Sequence, residues 1–136
     1  MIVLDANILV SAILGSHTQD VMERARERGI RLAATERQFA EARRVLTGKL
    51  RMAAERAEGL LDGVLQSVEL LAEPSFAAFE GAARERLHAR GQSDWPLVAA
   101  AMAFGAGIWS TDRDLFGVGL PVWSTRNMAF AEPAAP

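Results

Sequence analysis

Four acidic side chains, Asp5, Glu41, Asp94 and Asp112, stand where they could hold a hard metal ion. Asp5 directly follows the apolar run Ile2-Val3-Leu4, and Asp112 lies just beyond Ile108-Trp109-Ser110. A carboxylate at the end of a buried apolar run is costly to desolvate unless it is paired or bound. Asp94 precedes Trp95-Pro96, and a proline of that kind marks the first turn of a helix. Glu41 falls inside a helical pattern, one turn before Val45, on the border of an apolar stripe. The chain has no cysteine, and its two histidines, His17 and His88, fall in a Gly-Ser-His-Thr turn and on a charged helix, which suits surface positions. An oxygen-only donor set selects hard cations such as Mg²⁺ or Mn²⁺. Clustered carboxylates without a cation raise one another's pKa, and a bound dication removes that conflict. The chemistry such a site supports is attack of water on a phosphodiester, with the metal lowering the water pKa and neutralising developing charge.

Each acid also has a plain structural reading. Asp5, Asp94 and Asp112 could each cap the helix or turn that follows. Asp114 competes with Asp112 as a ligand, but Asp112 is nearer the strand end. Glu41 is inside its helix and cannot be a cap; its plain reading is a solvated glutamate paired with Arg37 or Arg44. Glu36, in the first turn of the same helix, is accounted for by the helix dipole.

The elements that must position these acids alternate between short apolar runs and longer helical patterns. Strands are expected at 2–4, 30–34, 68–71 and 108–110, with a fifth at 120–123. Helices are expected from Ile8 to Gly15, Asp20 to Arg28, Thr35 to Gly48, 50 to 65, Phe76 to Arg90 and Ser93 to Phe104. Thr35 and Gln38 have the spacing of a capping box. This alternation predicts an α/β fold with a parallel sheet covered by helices on both faces. In such sheets ligands bind outside the carboxyl ends of the strands, where strand order reverses.

At 136 residues, half of them apolar, the chain is expected to form a single domain over 1–130, with a flexible tail at 131–136. The lack of cysteine excludes disulfides, zinc–thiolate sites and thiol nucleophiles. Met1-Ile2-Val3-Leu4-Asp5 is too short an apolar start for a signal peptide, and no segment reaches the ~18 apolar residues of a membrane helix, so a soluble, cytoplasmic protein without a membrane partner is expected. The net charge of −2 argues against a simple nucleic-acid coat. Yet residues 24–56 carry nine arginines and Lys49 against four glutamates, a local balance of +6 within an otherwise acidic chain. A basic stretch beside an acidic pocket suits a phosphate-contacting surface. The plain alternative is solvated helix faces with pairs such as Glu27 and Arg31. There is no Walker loop, no Gly-x-Ser-x-Gly and no dinucleotide fingerprint. A phosphoacceptor receiver domain would need a lysine after a late strand, and the only lysine is Lys49.

Four segments resemble the signature segments of PIN domains, in the same order. They are Val3-Leu4-Asp5-Ala6-Asn7-Ile8-Leu9, Ala40-Glu41-Ala42-Arg43-Arg44-Val45-Leu46, Asp94-Trp95-Pro96-Leu97-Val98-Ala99-Ala100-Ala101 and Ile108-Trp109-Ser110-Thr111-Asp112-Arg113-Asp114-Leu115-Phe116. In size the chain resembles the VapC-type toxins of bacterial toxin–antitoxin pairs. The resemblance implies a three-layer α/β/α sandwich with a parallel sheet of order 3-2-1-4-5. It places Asp5, Glu41, Asp94 and Asp112 at the family's acidic positions and Asn7, Thr111 and Asp114 at supporting polar ones. It implies Mg²⁺- or Mn²⁺-dependent endoribonuclease activity leaving 5′-phosphate ends, homodimerisation, and an antitoxin that wraps the toxin and reaches into its site. A PIN fold that only binds RNA or a partner protein is the alternative. Where many relatives have a further acid just before the third aspartate, this chain has Gln92 and Ser93.

Overall fold

In the computed structural model, which describes residues 1–133, five strands form one sheet: β1 Ile2–Leu4, β2 Leu32–Thr35, β3 Glu69–Leu71, β4 Gly107–Trp109 and β5 Val122–Trp123. Every neighbouring pair is parallel, and the order is β3-β2-β1-β4-β5. The side-chain period of two divides the inner strands between two cores. Ile2, Leu4, Leu32, Ala34 and Trp109 face one side. Val3, Ala33 and Ile108 face the other. The helices α1 Ala6–Leu14, α2 Ser16–Glu27, α3 Glu36–Arg44 and α4 Ala54–Val64 cover the first side. The helices α5 Glu80–Arg86 and α6 Trp95–Phe104 cover the second. The result is the α/β/α sandwich with the expected strand order.

Helix α6 lies against β1, β2 and β4. Its residues from Trp95 to Ala101 are all buried, and its run of alanines lets the helix backbone lie close to the sheet. Gly105 ends it in the left-handed region at φ 60°, a conformation that costs glycine little and most residues more. At the start of α3 the Thr35 hydroxyl oxygen accepts the Gln38 N–H at 3.2 Å, the forward half of the expected capping box, while the Gln38 side chain bonds the Thr35 hydroxyl.

Several boundaries differ from the sequence expectations. Helix α2 begins at Ser16 rather than Asp20, and β2 begins at Leu32. Helix α3 ends at Arg44 and passes into a π-helical turn over Val45–Lys49, where the Leu50 N–H reaches the Val45 carbonyl. The charged helix expected from Phe76 to Arg90 is broken into a 3₁₀ turn at Ala77–Phe79, α5, and a 3₁₀ stretch at Ala89–Asp94. Gln92 accounts for much of that break: its amide donates to the carbonyls of Arg84 and Leu87, satisfying the end of α5, while Leu87 turns extended and buries its side chain. The expected Glu27–Arg31 pair is replaced. Arg31 makes two bonds to Glu69 on the neighbouring strand β3, at 2.8 and 3.0 Å. Both side chains are exposed, so the pair adds little stability.

Of the tail expected over 131–136, residues 134–136 lie outside the described residues. Ala131 is buried, and the Arg28 guanidinium donates to the carbonyls of Met128 and Ala131 at 2.7 and 3.3 Å. Among the described residues, no helix is long and apolar enough to cross a membrane.

Candidate active site

After β1 the chain builds β2 and β3 outward on one side, then returns to lay β4 and β5 on the other. Strand order therefore reverses between β1 and β4, and the crevice for a ligand opens at their carboxyl ends. Asp5 ends β1 and Asp112 follows β4, so the two flank that reversal.

A chain of hydrogen bonds joins them. Asp5 caps α1, its Oδ1 accepting the Ala6 N–H at 2.7 Å. Its Oδ2 accepts the Ser110 hydroxyl at 2.6 Å. The Ser110 Oγ in turn accepts the Asp112 N–H at 2.9 Å, and the Asp112 Oδ1 accepts the Asp114 N–H at 2.9 Å. Asp5 and Asp112 thus do serve as caps, which meets their plain structural reading without exhausting it, because each is also pinned at the crevice. Beside them the Asn7 amide donates to the Thr111 hydroxyl at 2.8 Å, a second tie between the ends of β1 and β4.

Asp94 behaves differently. It occupies the cap position of α6 but makes no side-chain cap bond. Burial, and then the charges of Asp5, Asp112, Glu41 and Asp114, push its carboxyl up to about 7. Burial raises Asp5 as well, with Asp112 adding to the rise and the bonds from Ser110 and Ala6 opposing it. Partial burial raises Glu41, the Asp5 charge adds, and Arg44 pulls the other way. All four predicted acids, with Asp114, therefore share one electrostatic neighbourhood. As the side chains stand, no group of three or more histidines and acids among the described residues is gathered tightly enough to hold a metal ion.

Of the two partners offered for Glu41, Arg44 acts on its charge while Arg37 is otherwise engaged. Arg37 bonds Glu73 at 3.2 Å and lies over the Trp95 ring, 5.5 Å from its centroid, and Arg84 lies over the same ring at 5.6 Å. Two guanidinium groups thus flank the residue next to Asp94. Among the described residues no ion pair holds Glu41.

Ser110 is the residue that sequence reasoning passed over in favour of Thr111. It is 1% exposed, and its backbone N–H still pairs with Trp123 of β5. A signal was available: Ser110 directly follows the apolar pair Ile108-Trp109, so it stays within the sheet, whereas Thr111 has already left it and is exposed.

The chain also matches a known family model: the PIN domain, over residues 3–132. The chain belongs to the PIN domain family. Among curated proteins none matches it. PIN domains are generally nucleases, so the coarse reading of the site as a hydrolytic one holds. PIN nucleases typically use divalent metals, and the donor set here fits that use: carboxylates, an amide and hydroxyls, all oxygen donors, with carboxyls whose proton affinity is raised by burial and by one another.

Proposed function

We propose that this PIN domain is a metal-dependent endoribonuclease that hydrolyses RNA phosphodiesters. The observation that carries the reading is Asp94: a half-buried carboxylate at the crevice, without a cap bond, under the charges of four other acids. Asp5, Asp94 and Asp112 would ligate Mg²⁺ or Mn²⁺, and Glu41 would ligate it or orient the attacking water. The bound cation would lower the pKa of that water and offset the charge developing on the phosphate. Ser110 and the Ala6 N–H hold Asp5 in one orientation, the Asp114 N–H holds Asp112, and Asn7 with Thr111 fixes the spacing of the two strand ends. Arginines between 37 and 51 would contact RNA phosphates.

The test is incubation of purified protein with RNA under Mn²⁺, with a chelator arm and an Asp5→Asn arm. Cleavage in the Mn²⁺ arm alone supports the reading, and cleavage that survives both controls sinks it. One observation favours a second reading, a scaffold that binds RNA or protein without cutting: the acids are not drawn into a ready-made metal cage. Calorimetric titration with Mn²⁺ separates the two, since a scaffold gives no binding heat.

The biological role we infer is the cytoplasmic toxin of a type II toxin–antitoxin pair, acting as a homodimer and restrained by a protein antitoxin. The support is the four-segment resemblance. Growth arrest on expression of the wild type, absent with Asp5→Asn and relieved by the product of an adjacent small gene, is the expected result.

A further inference from the structure

A groove of about 530 Å³ runs between α2 and the segment after β5, apart from the acidic crevice. His17, Arg24 and Arg28 line it from one face of α2, at the i, i+7 and i+11 spacing that stacks side chains along a helix. Thr125 and Arg126 line the opposite wall. Helix α2 also carries Asp20, Glu23 and Glu27, yet no acid lines the groove. In a chain of net charge −2, three arginines and a histidine on one concavity form a strongly basic patch. Arg24 and Arg126 are exposed, and neither makes an ion pair among the described residues. Arg28 is held by the Met128 and Ala131 carbonyls, which use two of the five donors of its guanidinium and fix the charge in place.

One wall of the groove begins just after the carboxyl end of β5, the edge of the sheet that carries the acids. The Thr125 hydroxyl oxygen accepts the Trp109 indole N–H at 3.0 Å. Trp109 pairs in register with Trp123, so Thr125 and Thr111 each follow the last paired residue of β5 and β4 by two positions. Neighbouring strands are about 4.8 Å apart, which puts the β5 end roughly 10 Å from the β1 end that carries Asp5. A polyanionic strand with one phosphate at Asp5 and Asp112 would cross the end of β4 and then meet Thr125 and Arg126.

We infer that this groove is the track for the phosphodiester backbone of the RNA beyond the scissile bond, with Arg24 and Arg126 as its phosphate contacts. The inference rests on the endoribonuclease reading and assigns a place to the substrate strand.

The test is fluorescence anisotropy of a short labelled oligouridine with the full chain, in chelator so that nothing is cut, over a range of KCl. Single-strand binding loses about 0.7 in the slope of log affinity against log salt for each phosphate contact removed, which is about fivefold in affinity at 0.1 M salt. Arg24→Ala and Arg126→Ala are each expected to show that loss, and Arg24→Lys and Arg126→Lys to retain most of the binding. Arg31→Ala, the same charge change at the amino edge of the sheet, is expected to bind as the wild type does. Cleavage under Mn²⁺ is followed in parallel. Alanine variants that keep the wild-type affinity and slope, while the wild type cleaves, overturn the groove and leave the nuclease standing. A wild type that neither binds nor cleaves RNA removes both. Inorganic phosphate that displaces the strand better than chloride at equal ionic strength would make the groove a single-anion pocket and overturn the strand assignment.

Discussion

The Ser110 hydroxyl donates to the Asp5 carboxylate at 2.6 Å while its oxygen accepts the Asp112 N–H at 2.9 Å, so one buried side chain sets the distance between two acids that are 107 residues apart in sequence. Ser110→Ala deletes both bonds and leaves a buried carboxylate with one fewer donor. Removing an orienting partner of this kind weakens metal binding by roughly 10- to 100-fold. Ser110→Thr keeps the hydroxyl and is expected to keep most of the affinity. Calorimetry with Mn²⁺ on both variants checks this; equal affinities for alanine and serine would show that Ser110 orients nothing.

Asp94 makes the metal-free protein less stable as pH rises. Its folded carboxyl titrates at about 7 against an ordinary 3.8, so the folded state holds a proton that the unfolded state has released. Stability linked to that proton is fully present below 3.8 and is lost as pH climbs through about 7. In chelator, Asp94→Asn is therefore expected to melt a few degrees above the wild type at pH 8 and close to it at pH 4. Added Mn²⁺ should reverse the order at pH 8, because only the wild type gains ligand stabilisation. Melting curves across pH, with and without metal, give the answer.

Asp5→Asn separates folding from chemistry. Asparagine is as good a helix cap as aspartate, so the Ala6 N–H keeps its partner and the variant is expected to fold. It loses an anionic oxygen at the crevice, and RNA cleavage under Mn²⁺ should fall by at least two orders of magnitude, on the scale typical of lost charge stabilisation. Circular dichroism shows whether the fold survives, and a gel assay shows whether the activity does.

Glu41→Gln should change activity with little change in melting temperature. Glu41 holds no ion pair among the described residues and caps nothing, so no bond that holds the fold is lost with its charge. A drop in melting temperature as large as the drop in activity would assign it a structural role instead.

Thr35→Ala is the converse control. It removes the cap of α3 and the buried partner of Gln38, at a cost of about 1 kcal/mol and roughly 2–4 °C. Metal affinity is expected to stay at the wild-type level, since Thr35 is not among the groups acting on the acids.

The residues that the sequence placed well owe their positions to local rules. Ile2-Val3-Leu4 is an apolar run ended by an acid, Thr35 and Gln38 cap within one turn, and Pro96 with Gly105 brackets α6; backbone sterics and short hydrogen bonds act over a few residues and are written in them. The break at Leu87 was not legible, because it depends on Gln92 reaching back to carbonyls that a continuous helix would have kept for itself. Arg31 pairs with Glu69 rather than Glu27 for a similar reason: strand pairing brings β3 alongside it, and nothing in the local spacing records that.

For the site, the residue types and their order along the chain were enough to nominate Asp5, Glu41, Asp94 and Asp112 and the hard-cation chemistry of oxygen donors. The tertiary structure alone decided which of them are also caps, that Asp94 is not bound as one, and that Ser110 as well as Thr111 joins the ends of β1 and β4. The reason is physical. A carboxylate's donor chemistry belongs to the residue, but its proton affinity and orientation come from burial, neighbouring charge and hydrogen bonds, and here those arrive from strands and helices far away in the chain.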